Sequence, residues 1–205
     1  MRFFGRKDEI AELHNIRNLS LHTARFTIVT GRRRSGKTSL LLKAYEDVED
    51  LLYFFVARKS EEELCKDFVN EIKEKLQIPI LGDVSRFADI FKYLLQLSKT
   101  RPLTIIIDEF QDFKRVTSSV FSDMQKIWDL NKQDAHVNLV VCGSIYSLMN
   151  IIFKNNKQPL YGRQTGEIKV TPFPPSVIKE ILCTYNPSYT NEDLLALYSY
   201  TGGVA

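Results

Sequence analysis

The sequence predicts a three-layer α/β/α sandwich built on a parallel sheet, and two observations predict it. Five short runs rich in β-branched and aromatic residues, at 26–29, 51–56, 103–107, 137–141 and 168–170, alternate with segments whose apolar residues recur at helical spacing. The runs are apolar almost without a break, so both faces of the sheet need cover. Right-handed crossovers between parallel neighbours supply it with helices.

Taken in order, a helical segment at 10–19 precedes the first strand, and another at 37–48 follows it. The second strand leads to a helix at 61–76. Its start is marked by Ser60 and Glu63, which have the spacing of a capping box that satisfies free backbone donors. Helical spacing at 87–97, 118–130 and 145–152 fills the intervals between the later strands. Beyond the fifth strand Pro172, Pro174 and Pro175 interrupt the chain, and 177–182 and 194–198 read as short helices of an appendage. The division expected is a core at 1–171 and a small helical unit beginning at 172–205. The two glycines in the last five residues, with no closing element, suggest that the chain belongs to something longer.

With 205 residues, 44% hydrophobic and 26% charged, one full core is within reach. A net charge of +3 is too small to imply a nucleic-acid partner. Cys65, Cys142 and Cys183 are odd in number and far apart, which fits neither zinc nor a disulfide framework and suits a reducing cytoplasm. His14, His22 and His136 show no ligand spacing. Met1 is followed by Arg2, two phenylalanines and then charged residues, with no apolar signal core, and no run of roughly 18 apolar residues could cross a bilayer.

The chemistry concentrates in two motifs. Gly31-Arg32-Arg33-Arg34-Ser35-Gly36-Lys37-Thr38 fits the P-loop pattern and lies, as that pattern requires, between a strand and a helix. Its glycines let successive N–H groups curl around phosphates, and the helix terminus adds positive charge. Lys37 is expected to reach the β- and γ-phosphates and Thr38 to offer its hydroxyl to Mg²⁺. Gly31, Arg34, Ser35, Gly36 and Ser39 complete the expected phosphate cradle. The three arginines could face phosphates, a partner subunit, an acidic protein surface or only water, the last being the simplest reading. The second motif is the strand at 103–107 ending in Asp108 and Glu109, at the edge where open α/β sheets bind ligands. Asp108 is expected to hold Mg²⁺ through its water shell and Glu109 to activate the attacking water.

Asn131-Lys132-Gln133-Asp134 imitates a guanine-reading motif, but it precedes a strand where a GTPase would have it follow one. Adenine is therefore expected. Trp128, Phe54, Phe55 and Cys142 are expected in the core.

Together with Phe4-Gly5-Arg6-Lys7-Asp8-Glu9, Phe110-Gln111, Cys142-Gly143-Ser144, Leu160-Tyr161-Gly162-Arg163 and Thr201-Gly202-Gly203, in this order, these motifs resemble the prokaryotic AAA+-like ATPases of the STAND group, the archaeal ATPase family. The resemblance implies a P-loop NTPase fold with strand order 5-1-4-3-2, a helical lid after the sheet, and ATP with Mg²⁺. It places Gly5 and Arg6 beside the base or ribose, where the alternative is a turn that starts the first helix. Ser144 resembles the polar sensor of the γ-phosphate or attacking water, with a helix cap as the competing reading. Arg163 resembles an arginine finger acting in trans within a homo-oligomer, with an ordinary surface arginine as the competing reading. Related proteins continue into a winged-helix domain, so a DNA or protein partner is expected through a following region. The functions in play are an ATPase coupled to conformational change, a slow nucleotide switch and, with less support, a small-molecule kinase.

Overall fold

A computed structural model describes residues 3–79 and 82–203 of the chain. The expectations for Met1 and Arg2 and for Val204 and Ala205 lie outside the described residues. The strands are β1 (Arg25–Gly31), β2 (Leu51–Phe55), β3 (Leu103–Asp108), β4 (Val137–Gly143) and β5 (Gly166–Val170). All pair in parallel in the order β2-β3-β4-β1-β5, which is the expected order read from the other edge. The helices are α1 (Lys7–Ser20), α2 (Lys37–Ala44), α3 (Glu61–Leu76), α4 (Phe87–Leu97), α5 (Phe113–Val116), α6 (Val120–Asn131), α7 (Tyr146–Lys154), α8 (Pro175–Tyr185) and α9 (Asn191–Thr201).

Strand alternation sorts the core into two layers. Phe26, Phe54, Ile107 and Val141 face α3, α4, α6 and α7 in a cluster that includes Trp128, whose ring meets Phe26 edge-on at 5.1 Å. Val29, Ile106, Val140 and Cys142 face α1 and α2 around Leu13, Leu40 and Tyr45. Burial pushes the Tyr45 phenol up to about 12, and its hydroxyl donates to the Leu13 carbonyl at 3.3 Å. α3 begins at the expected capping box, with Glu63 N–H donating to Ser60 Oγ at 3.3 Å.

Two sequence expectations need correction, and one pair of short helical turns was not anticipated. Phe55 is 50% exposed rather than buried. It ends β2, the edge strand, on the side away from the α3 layer, so a neighbouring strand covers it on one flank only. The helix expected at 37–48 stops at Ala44, after which Val48 N–H returns to the Tyr45 carbonyl in a turn. A 3₁₀ turn (Phe110–Asp112) and α5 follow β3 directly, a segment with no regular apolar period from which to expect a helix.

Candidate functional site

The loop between β1 and α2 takes its shape from two glycines. At Gly31 a Cβ would sit 2.6 Å from the Val170 carbonyl oxygen and 2.8 Å from Ser35 Oγ, so only glycine fits beside β5. Gly36, with φ 80, occupies the left-handed region at the N-cap of α2. Arg34 takes the same region with φ 64, a conformation that costs a non-glycine residue about 1 to 3 kcal/mol. The first N–H groups of α2 have no acceptor within the helix and, with its dipole, make an anion seat. Lys37, on the first turn and 7% exposed, donates Nζ to the Gly31 carbonyl at 3.1 Å and to the Arg32 carbonyl at 3.0 Å. Ser35 Oγ is buried without a hydrogen-bond partner, a polar atom within this loop that a phosphate oxygen can satisfy.

Asp108 closes β3 on the face shared with α2. Its Oδ2 accepts from Thr38 Oγ1 at 2.6 Å and from Tyr53 Oη at 2.9 Å, while Oδ1 accepts from Cys142 Sγ at 2.8 Å and from the Glu109 N–H at 2.8 Å. Burial, then the Asp108 carboxylate, push the Tyr53 phenol and the Cys142 thiol well up, which keeps both protonated as donors. A hydroxyl and a carboxylate in contact suit a hard, oxygen-seeking cation such as Mg²⁺. Among the described residues no group of three or more His, Cys, Asp or Glu could hold a metal by itself.

Glu109 takes a left-handed conformation, φ 52, as the chain turns out of β3. Its Oε2 accepts from Ser144 Oγ at 2.9 Å and from Gln111 Nε2. Ser144 thus serves the carboxylate rather than a helix end: the N-cap of α7 is Ile145, and no side chain caps it. Gln111 had no role assigned from sequence. It is 1% exposed, its Oε1 is buried without a partner, and a Cβ on Gly143 would run into that oxygen.

These groups open onto a cavity of about 690 Å³, of a size suited to a nucleotide. Arg34, Ser35, Gly36, Lys37, Thr38, Ser39, Asp108, Glu109 and Ser144 all line it, together with Arg33, one of the three loop arginines whose direction the sequence left open. The far end is apolar, walled by Phe3, Phe4, Phe173, Ile181 and Tyr185, with the Phe4 and Tyr185 rings edge-on at 5.9 Å. Phe4 entered the sequence reading only as part of the motif before α1, and Phe3, Phe173 and Tyr185 had no role in it, because these residues come from the chain before α1, the proline-rich link and α8, which no one motif joins.

Gly5 and Arg6 form the turn that starts α1, and Arg6 also lines the cavity. Gly5, φ 64, lies under α8, where a Cβ would meet Val177 at 3.1 Å. Arg6 lines the cavity as the N-cap of α1, but its guanidinium is committed elsewhere: to Glu9 at 3.0 Å, the Ser35 carbonyl at 3.3 Å and the Thr171 carbonyl at 2.6 Å. It also lies over the Phe173 ring at 4.4 Å. Its guanidinium ties the phosphate loop to the start of the appendage.

Arg163 is not brought to the cavity. It precedes β5, at the amino ends of the strands, and binds Asp129 at 3.1 Å and the Tyr161 carbonyl at 2.7 Å. Although burial alone would raise it, hydrogen bonds from Lys132 and Arg163 hold the Asp129 carboxyl below its ordinary value. The Asn131 to Asp134 segment lies at the same edge. Asn131 ends α6, and Asp134 pairs with Lys99 at 3.5 Å.

Comparison with known proteins agrees with this architecture. Residues 3–205 match the family described as an ATPase domain predominantly from Archaea. An uncharacterised protein of Methanocaldococcus jannaschii is 30% identical over 202 residues, which are 98% of this chain and 42% of that protein. The chain therefore spans less than half of that relative's length. Among solved structures, a Walker-type ATPase of Pyrococcus abyssi superposes with a TM-score of 0.73 at 20% identity, over 98% of this chain and 64% of that one. The ORC2 protein of Aeropyrum pernix, in ADPNP–ADP complexes, gives 0.65 at 16% identity, over 86% and 50%. A STAND protein with a tetratricopeptide repeat sensor from Pyrococcus horikoshii gives 0.57 at 19%, over 98% and 28%.

Proposed function

Since the chain belongs to this predominantly archaeal ATPase family, we propose that it binds ATP with Mg²⁺ in the cavity above β1 and β3 and hydrolyses it. The observation that carries this reading is the convergence of Lys37, Thr38, Asp108 and Glu109 on one cavity, with Glu109 held at its wall by Ser144. The α2 amides and Lys37 take the phosphate charge, and the base lies against the aromatic end beside Phe4 and Phe173. Thr38 and Asp108 hold the cation, which when bound neutralises charge on the phosphate oxygens. Glu109 accepts the proton of an attacking water aligned with the terminal phosphate. The strained Glu109 backbone fixes where that carboxylate stands.

The carboxylate reading separates this protein from a kinase, which takes an acceptor hydroxyl where Glu109 would place water. Release of phosphate without an added acceptor checks this. The direct test of turnover is Glu109→Gln, which keeps nucleotide affinity and loses hydrolysis, because binding and water activation use different groups. Equal turnover in the variant would remove Glu109 from the mechanism.

A second reading, a slow nucleotide switch, is favoured by one observation. The finger that the family resemblance suggests, Arg163, is bonded to Asp129 at the far edge and does not line the cavity of its own chain. We place it at a contact between subunits of a homo-oligomer, where it completes a neighbour's site in trans. Turnover per chain that rises with protein concentration supports this assignment, and turnover independent of concentration in both the natural protein and Arg163→Ala opposes it. We further read 172–205 as the start of a lid over the cavity, a DNA or protein partner as bound through sequence following it, and the cytoplasm as the site of action. Among the described residues no helix is long and apolar enough to cross a membrane.

A further inference from the structure

We infer that Tyr53 and Cys142 are positioning residues for the metal, holding the Asp108 carboxylate in the one orientation that can grip the hydration shell of Mg²⁺. The inference deepens the reading of Asp108 as the magnesium carboxylate and rests on it. Strand register brings the three together. Tyr53, Asp108 and Cys142 alternate onto the same face of β2, β3 and β4, since Phe55 pairs with Asp108 and Val141 pairs with Ile107 one position before Cys142. Asp108 therefore has the Tyr53 hydroxyl on one flank, the Cys142 thiol on the other, and Thr38 of α2 above.

Each carboxylate oxygen accepts two hydrogen bonds: Oδ2 from Thr38 at 2.6 Å and Tyr53 at 2.9 Å, Oδ1 from Cys142 at 2.8 Å and the Glu109 N–H at 2.8 Å. Rotation of the carboxylate would break bonds on both sides. Without Tyr53 the one donor left on Oδ2 among the described residues is Thr38, whose own oxygen is required by the cation. Mg²⁺ tolerates little departure from octahedral geometry and gives up its waters reluctantly, so a carboxylate that swings loses much of its hold on that shell. Neither Tyr53 nor Cys142 is among the residues that line the cavity. Their removal therefore acts on the cation and leaves the phosphate seat intact.

The test is calorimetric titration with a non-hydrolysable ATP analogue, once with Mg²⁺ and once with EDTA, the readout being the ratio of the two affinities. In Tyr53→Phe, which keeps the ring on a half-buried edge strand, the ratio falls roughly tenfold while the affinity in EDTA is unchanged. Cys142→Ser keeps a donor and preserves the ratio, whereas Cys142→Ala lowers it. A ratio in Tyr53→Phe equal to or above that of the natural protein overturns the inference. Asp108→Asn separates the two levels. If that change leaves the ratio untouched, the assignment of Asp108 itself fails; if it lowers the ratio and Tyr53→Phe does not, only the positioning role fails.

Discussion

The two edges of the sheet carry similar chemical groups in opposite circumstances. At the carboxyl ends of the strands, Lys37, Thr38, Asp108, Glu109 and Ser144 line a shared cavity. At the amino ends, Lys132 and Arg163 both bind Asp129, at 3.0 and 3.1 Å, and Lys99 meets Asp134 at 3.5 Å. The charges of the second edge neutralise one another on a solvated surface. Those of the first are arranged around space, beside the unpaired amides of α2. Topology makes the difference, because only at the carboxyl edge do helices begin as strands end and turn their positive termini toward a ligand. A motif such as Asn131 to Asp134 therefore gains or loses meaning according to the edge on which it falls.

Substitutions can break or sharpen this contrast. The largest effect is expected from Glu109→Gln, which should lower single-turnover hydrolysis by roughly 10²- to 10⁴-fold, as loss of a general base does. Lys37→Ala should weaken binding of an ATP analogue by about 10- to 100-fold, the worth of hydrogen bonds to charged phosphates. Ser144→Ala, which frees one side of Glu109, should slow turnover by about tenfold while affinity measured by calorimetry holds steady. At the other edge Asp129→Ala should leave nucleotide affinity unchanged and shift unfolding free energy by no more than about 1 kcal/mol, since its pairs are largely solvated. The smallest effect is expected from Asp134→Ala, which should not alter preference for ATP over GTP in a competition assay. A changed preference would give the amino edge a part in base recognition.

The sheet was legible because its strands are buried on both faces and so read as unbroken apolar runs between helical periods. The phosphate loop was legible because consecutive residues make it. What the sequence withheld depends on register and crossing: Tyr53 and Cys142 reach Asp108 only once β2, β3 and β4 are aligned, and each alone resembles a core residue. Phe55 shows the same limit from the other side, since its exposure follows from β2 lying at the edge, which apolar pattern does not disclose. The aromatic end of the cavity draws Phe4, Phe173 and Tyr185 from distant segments, and Arg6 spends its donors on Ser35 and Thr171 across the fold. For Ser144, the hydrogen bond to Glu109 and the N-cap at Ile145 set aside the helix cap, and both depend on β3 and β4 lying side by side.

The most direct measurement is a crystal structure grown with a non-hydrolysable ATP analogue and Mg²⁺. The expected result has the triphosphate against the main-chain amides of 31–38 and Lys37, the cation between Thr38 and Asp108, and the base among Phe4, Phe173 and Tyr185. A nucleotide bound elsewhere, with the β1–α2 loop closed on itself, would contradict the assignment of this edge as the site of chemistry.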